Sequence, residues 1–551
     1  MKAQKLLLSL FATAFHPAVA AVLNPRQAPN AAKGVTKITS PSGSQIRYKQ
    51  PGKDGICETT PGVKSYSGYI DISPDVHVFF WFFKSRNDPA NDPVTLWLNG
   101  GLGSDSLIGL FEEIGPCEVV ENMTTVLRDH SWTEISNVLF LSQPEQVGYL
   151  DPTYLLVDKK PDGSDEQKGR WAVIDATNED TSRLAAITCW EILQGFYSAL
   201  PQLSSSKISS TDFHLWTESF GGHWGPAFFD YFNEQNEKLD AKTTKGRKLN
   251  MKSLGIVNGI VDEHVQTRYL LDFTQGENNG YGVDLVNDTI YQYGKLNRDR
   301  PGGCQEHLDY CDWLERDSLV RRSACASAQI ICQNDVEGMF YTFPLEPRGT
   351  YDIVCTRPPS HLHYTDQDVP PSYWRNFLNT GPVQNSLSVD LNSTSNNLIY
   401  TAFTLSGDFA AGYLPDIEKI LELDVQVSLV YGDADYICNW LGGEALSLAA
   451  KWSGAESFQD AGYTNLLVDG KAYGETRQFG KLSFSRVWNS GHEVPFFQPA
   501  AAFQIFNRTS NGYDIATGEL LVSPNSTYQT NGTAKTTRTT TLAPLPDQTS
   551  S

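Results

Sequence analysis

Phe213-His-Leu-Trp-Thr-Glu-Ser-Phe-Gly-Gly-His-Trp-Gly-Pro226 is the stretch on which the fold turns. Phe213 to Trp216 is a short apolar run, Thr217 to Gly222 reads as a tight turn, and Ala227, Phe228, Tyr231 and Phe232 recur at helical spacing. Strand, turn and helix follow in that order. A serine at the apex of such a turn has its hydroxyl pushed clear of the backbone, and the following helix aims its positive end and free N–H groups at whatever lies beside it. Ser219 is thus placed as a nucleophile would be. Thr217 stands where the general G-x-S-x-G elbow has its first glycine, and an ordinary strand-to-helix turn capped by serine is the rival reading.

The order of partners downstream argues for the nucleophile. An α/β-hydrolase supplies its triad as Ser, then Asp or Glu, then His, each from a loop at the carboxyl end of a strand. Val425 to Val430 is strand-like and leads into Tyr431-Gly-Asp-Ala-Asp-Tyr-Ile-Cys-Asn439, which carries two carboxylates. Of the 10 histidines, His492 alone lies beyond residue 363, in Asn489-Ser-Gly-His-Glu-Val-Pro495 between a β-type run, Leu482 to Trp488, and a helix starting near Gln498.

Trp216-Thr-Glu-Ser-Phe-Gly-Gly222, Gly432-Asp-Ala-Asp-Tyr-Ile-Cys-Asn439 and Gly491-His-Glu-Val-Pro495 resemble the serine carboxypeptidases, and Trp97-Leu-Asn-Gly-Gly-Leu-Gly103 is similar to their oxyanion loop. The resemblance runs from about Lys64 to Arg508 and is nearest to the secreted fungal branch, which shares the Thr-Glu-Ser elbow and has a serine at Ser104. It implies a catalytic triad of Ser219, Asp435 and His492, with Asp433 left as a turn-capping carboxylate. It also implies an oxyanion hole from the backbone of Gly101 and Phe220. Glu113 and Glu218, with Asn99 and Gly100, match the family's binding site for the free C-terminal carboxylate of a peptide. Two carboxyls sharing a proton can donate a hydrogen bond to that group only while protonated, so acid-favoured activity is expected. Without the family match, Glu113 would read as a solvated helix carboxylate like its neighbour Glu112. Two residues depart from the family's Gly-Gly-Pro-Gly-x-Ser-Ser loop: Leu102 replaces its proline and Asp105 a serine. A looser loop and an extra carboxylate could impair activity.

The chain of 551 residues, 40% hydrophobic, is long enough to bury a large core. Its net charge of −21 argues against nucleic acid or an anionic membrane as partner. Residues 1–20 read as a secretory signal peptide, with Lys2 and Lys5 before an apolar run. Residues 21–50 read as a loose extension or short propeptide. Strand runs at Asp75 to Phe83, Val94 to Leu98, Val138 to Leu141 and Ser253 to Val261 alternate with helical patterns such as Ile187, Trp190, Leu193 and Tyr197, which stops at Pro201. The expected fold is an α/β-hydrolase with a mostly parallel sheet covered on both faces. Its core is read as 51–262 and 401–508, interrupted by a charged, cysteine-rich, helical cap insertion at 263–400. Residues 509–551 turn to Thr, Ser, Asn and Pro and read as a disordered, glycosylated tail without the hydrophobic end of a lipid anchor. No run is long and apolar enough for a membrane span.

Nine cysteines behind a signal peptide point to disulfides. Cys304, Cys311, Cys325 and Cys332 are spaced symmetrically, favouring Cys304–Cys332 nested around Cys311–Cys325, as in the family's cap. Cys57 and Cys117 lie near tight turns and are read as a third pair. Cys189 and Cys355 are left over, and Cys438 matches a free thiol near the active site of vacuolar relatives. Zinc is the rival for the cap cysteines, but no C-x-x-C occurs there, so no metal and no cofactor are expected. Asn122, Asn287, Asn392, Asn507, Asn525 and Asn531 each begin a glycosylation sequon.

The expected function is a secreted (alternatively vacuolar) serine-type carboxypeptidase, acting on peptide or protein C-termini at acidic pH. The rivals are a catalytically impaired homologue that binds peptides or partners, and an acyltransferase or esterase on the same fold.

Overall fold

The computed structural model describes residues 34–540 except 74–75, 144–153, 158–168, 173–178, 204–207, 317, 356–369, 390, 394–396, 523–525 and 537. The expected signal peptide, the sequon at Asn525 and residues 541–551 lie outside the described residues.

The core is a 12-stranded sheet. Its strands are β1 (Thr36–Thr39), β2 (Gln45–Lys49), β3 (Ser65–Ser73), β4 (Val76–Phe83), β5 (Val94–Leu98), β6 (Asn137–Leu141), β7 (Asp212–Glu218), β8 (Asn250–Val257), β9 (Gln426–Gly432), β10 (Thr464–Val468), β11 (Lys471–Phe479) and β12 (Leu482–Val487). They lie in the order β1-β2-β3-β4-β6-β5-β7-β8-β9-β12-β11-β10. The central run from β6 to β12 is parallel, with antiparallel strands on either side. Continuous apolar runs such as Val94-Thr-Leu-Trp-Leu98, buried at every position, are what a strand covered on both faces requires.

Side-chain alternation divides the interior into two cores. Phe80, Phe82, Leu96, Leu98, Phe213 and Leu215 face one cluster with helices α1 (Ser182–Leu203) and α2 (Gly221–Asp240). Phe79, Trp81, Phe83, Trp97 and Trp216 face the other. There Trp132 stacks on Phe506 with ring centroids 4.0 Å apart and meets Trp216 edge-on at 5.0 Å. Pro201 does not stop α1: it sits in the last turn, and Leu200 and Leu203 still bury against the core.

Between β8 and β9 the described residues form helices and no strand, including α3 (Glu263–Phe273), α4 (Cys304–Trp313), α5 (Leu319–Cys332) and α6 (Tyr373–Leu378). Cys304 is bonded to Cys332 and Cys311 to Cys325, joining α4 to α5 at two points, with Cα atoms 4.7 and 4.8 Å apart. Cys57 is bonded to Cys117, and Cys189 and Cys438 are free.

Two expectations are corrected at the chain's ends. The supposed loose extension supplies β1 and β2, because Gln45-Ile-Arg-Tyr-Lys49 alternates, burying Ile46 and Tyr48 while Arg47 and Lys49 are only partly covered. Average composition hid that period of two. The supposed disordered tail is packed over much of its length. Asp514 accepts the N–H groups of Thr517, Glu519 and Leu520 at 2.7–2.8 Å, closing a turn. Beyond it the backbone bonds the sheet edge through Thr530 N–H to Gln478 O (3.0 Å) and Tyr463 N–H to Thr533 O (2.7 Å). Polar residues can satisfy an edge strand's backbone without any apolar pattern to announce it.

Candidate active site

β7 ends at Glu218, and Ser219 follows with φ +60°, a left-handed conformation that costs a non-glycine residue energy and persists only where neighbours hold it. Here Ser219 N–H donates to Val257 O at 3.0 Å and Ser219 O accepts from Gly222 and Ile260, both at 2.9 Å. α2 starts at Gly221, so Phe220 N–H lies at the positive end of a helix.

The loop after β5 closes on this turn. A Cβ on Gly100 would sit 2.2 Å from Phe220 N and 2.4 Å from Glu218 O, so only glycine allows the approach. Gly101 has φ +53°. Leu102 is buried in the core. Asp105 is buried too, and its carboxylate accepts from Ser142 Oγ (3.2 Å to each oxygen) and Leu107 N–H (3.2 Å). Burial pushes its pKa up to about 7. It is not among the main groups raising Glu113 or Glu218, contrary to the expected interference.

Asp435 and His492 meet at the carboxyl ends of β9 and β12. His492 Nδ1 is 2.7 Å from Asp435 Oδ2. Asp435 is fully buried and His492 nearly so. Asn258, at the end of β8, donates from Nδ2 to the same Asp435 oxygen at 2.8 Å and to Cys438 O at 3.2 Å, while its Oδ1 accepts Gly432 N–H at 2.9 Å. The Cys438 thiol is hydrogen-bonded with Ser219, and its sulfur lies within 4.8 Å of ligand atoms of Asp435 and His492. Burial raises that thiol's pKa well above its usual value, so it stays a neutral thiol. Asp433 turns away from His492: Tyr281 donates to it at 2.5 Å and Arg486 lies 3.8 Å off.

The carboxyl cluster lies on the other side of the elbow. Asn99 Oδ1 accepts from Trp97 Nε1 and Gly109 N–H, both at 2.8 Å, which turns its Nδ2 toward Glu113 Oε1 (2.9 Å) and Glu218 Oε2 (2.8 Å). One amide thus holds Glu113 and Glu218 side by side, close enough for a hydrogen bond between them when one of them carries a proton. Burial is the main cause raising both pKa values, and the nearby carboxylates of Glu113 and Glu493 add to the rise at Glu218. Glu113 lies on a single π-type turn, Gly109–Glu113.

Glu112 is not solvated as expected. It is buried, accepts Trp374 Nε1 and hydrogen-bonds Glu493, the residue after His492. Burial pushes Glu112 up to about 7 and Glu493 well above the carboxyl range. Asn258, Glu112 and Glu493 are therefore site residues that the sequence did not single out. No spacing rule marks Asn258 or Glu112, and Glu493 could have been noticed only as a carboxylate next to the histidine. The described sequons at Asn122, Asn287 and Asn531 are exposed, and those at Asn392 and Asn507 are half-buried.

A left-handed serine between a parallel strand and its helix, with an Asp–His pair at the carboxyl ends of later strands, defines a protein of the α/β-hydrolase fold. The sequence model of the serine carboxypeptidase family matches residues 51–512, and the chain belongs to that family. It is 35% identical to carboxypeptidase S1 homolog A of Arthroderma otae, over 92% of this chain and 82% of that protein. It is 32% identical to carboxypeptidase S1 of Penicillium janthinellum, over 82% of this chain and 96% of that protein. Among solved structures it resembles Kex1Δp, a prohormone-processing carboxypeptidase of Saccharomyces cerevisiae, with a TM-score of 0.65 at 20% identity, covering 84% of this chain and 95% of that one. The protein is a carboxypeptidase of the serine type. Among the described residues no helix is long and apolar enough to cross a membrane.

Proposed function

We propose that the protein removes single residues from free peptide C-termini in acid, through an acyl-enzyme on Ser219. His492 takes the Ser219 proton as the oxygen attacks the scissile carbonyl, and Asp435 holds the imidazole by Nδ1. The N–H groups of Gly101 and Phe220 take the developing oxyanion. His492 then protonates the departing amine, and water, deprotonated by the same imidazole, releases the acyl group and restores Ser219.

The observation that carries this reading is Asn99 donating to two buried carboxyls, Glu113 and Glu218, beside the nucleophile. Asn99, the Gly100 backbone and the protonated pair of Glu113 and Glu218 would receive the substrate's terminal carboxylate. An esterase or acyltransferase has no need of such a reader. Asp105 is occupied with Ser142 and Leu107, which speaks against its interfering at the carboxylate site. Three disulfides fit an oxidising compartment, so the protein acts outside the cell or in the vacuole.

The test is Ser219→Ala, with wild type labelled in parallel by a serine-reactive phosphonate. The expected variant folds, resists the label and releases no amino acids from blocked dipeptides beyond the residue left by binding alone. Ester turnover without release of amino acids in wild type would overturn the assignment.

A further inference from the structure

We propose that the segment beyond the family's shared region is a strap whose Arg538 is a positioning residue for His492. The family match ends at residue 512, yet the chain runs on along the sheet edge and then crosses the loop that carries the histidine.

Five contacts define the strap. Arg538 Nη2 donates to Asn489 Oδ1 at 3.0 Å, and its guanidinium stacks 4.5 Å from the Trp488 ring centroid. Arg486, almost fully buried, donates from Nη1 to Thr536 Oγ1 at 2.6 Å and from Nη2 to Arg538 O at 3.3 Å. Thr540 N–H donates to Gly280 O at 2.7 Å.

Each contact bears on the Asp–His pair. Trp488 and Asn489 are the first residues after β12, and Asn489 takes φ +52°, which aims the chain from Ser490 to His492 back over the sheet. Asparagine enters the left-handed region more readily than other side-chain-bearing residues, and Arg538 fixes its side chain there. Arg486 also stacks 3.9 Å from the Trp440 ring centroid and lies 3.8 Å from Asp433. Asp433 Oδ1 accepts Ser490 N–H at 3.4 Å, and Ala434 N–H donates to Ser490 O at 2.8 Å, so the aspartate and histidine loops move together. Gly280 precedes Tyr281, whose hydroxyl donates to Asp433. The strap thus joins the helical insertion, the Arg486–Asp433 pair and the turn of Asn489, and it fixes His492 from behind, where it cannot touch substrate.

The inference rests on His492 being the base, so the experiment includes a control for that. Activity on a blocked dipeptide and the rate of phosphonate labelling are measured in Arg538→Ala, Arg538→Lys, Asn489→Ala, the double variant, a chain ending at Thr533, and His492→Gln. Expected are a kcat loss of about tenfold or more in Arg538→Ala, since small misplacements of a catalytic group are costly, with KM and melting temperature little changed. Labelling should slow in proportion, Arg538→Lys should recover part of it, and the double variant should lose no more than the worse single one. The chain ending at Thr533 keeps the edge pairing but loses every strap contact, and should lose at least as much kcat as Arg538→Ala. Unchanged kcat and labelling in Arg538→Ala overturns the strap, as does a lowered melting temperature with kcat intact. Full labelling of His492→Gln would instead overturn the role of the histidine.

Discussion

Asn258 Nδ2 and His492 Nδ1 meet the same oxygen of Asp435, at 2.8 and 2.7 Å. The aspartate is thereby fixed in the plane that holds the imidazole, from the end of a neighbouring strand. Asn258→Leu removes one donor to a buried carboxylate, a loss of roughly 1.5–3 kcal/mol where the partner is charged. The expected result is kcat lower by about 10- to 100-fold with KM nearly unchanged. Steady-state kinetics on one blocked dipeptide decide it, and a rise in KM alone would contradict the bracing role.

The shared proton of Glu113 and Glu218 predicts substrate-dependent pH profiles. Both pKa values are raised, so the pair keeps its proton in acid and loses it as pH rises. For a free-acid peptide, kcat/KM should fall with that loss, and for the matching amide it should not. Glu218→Gln carries a donor at every pH and should extend the free-acid profile toward neutrality, with some loss of rate. Identical profiles for acid and amide in wild type would mean that these carboxyls do not read the C-terminus.

Stability should be greatest in acid. Asp105 and Glu112 have folded-state pKa values raised from 3.8 and 4.5 to about 7. The folded protein therefore binds more protons than the unfolded chain between those values. Their contribution is complete below the unfolded pKa and is lost as pH rises through about 7, at up to about 1.4 kcal/mol per pH unit for each group. Melting temperature should drop between pH 4 and pH 8, and Asp105→Asn, which can still accept from Ser142 and Leu107, should flatten the drop. An equal slope in that variant would exonerate Asp105.

Replacing Asp105 by the family's serine tests the loop directly. Because its carboxylate is taken up by Ser142 and Leu107, Asp105→Ser should leave kcat/KM within about threefold, below the effect of a lost oxyanion donor. A large gain in kcat/KM would show that the wild-type loop is impaired after all.

Parts of this site announce themselves in sequence because local chain geometry produces them. Ser219 needs a strand, a turn and a helix in succession, and Gly100 and Gly101 need backbone freedom within a few residues. Asn258 and Glu112 acquire their roles only when distant strands or helices close on them, through Asp435 and Trp374, and nothing near them in the chain records that. The ends of the chain were hidden for another reason. β2 and the residues around Asp514 are held by alternation and by backbone hydrogen bonds, neither of which alters average polarity.

The helical insertion parts β8 from its neighbour β9 in the chain, and that fixes the order in which the molecule can be completed during synthesis. At roughly 5–20 residues per second, the ribosome takes about 10–40 s to go from Ser219 to Asp435. For most of that interval, from the time it is made, β8, with its buried Leu254, Ile256 and Val257, is an open parallel edge, and Asp435 and His492 have yet to be added. That edge offers its unpaired N–H and C=O groups to any other chain until Gln426 to Gly432 is made and covers it.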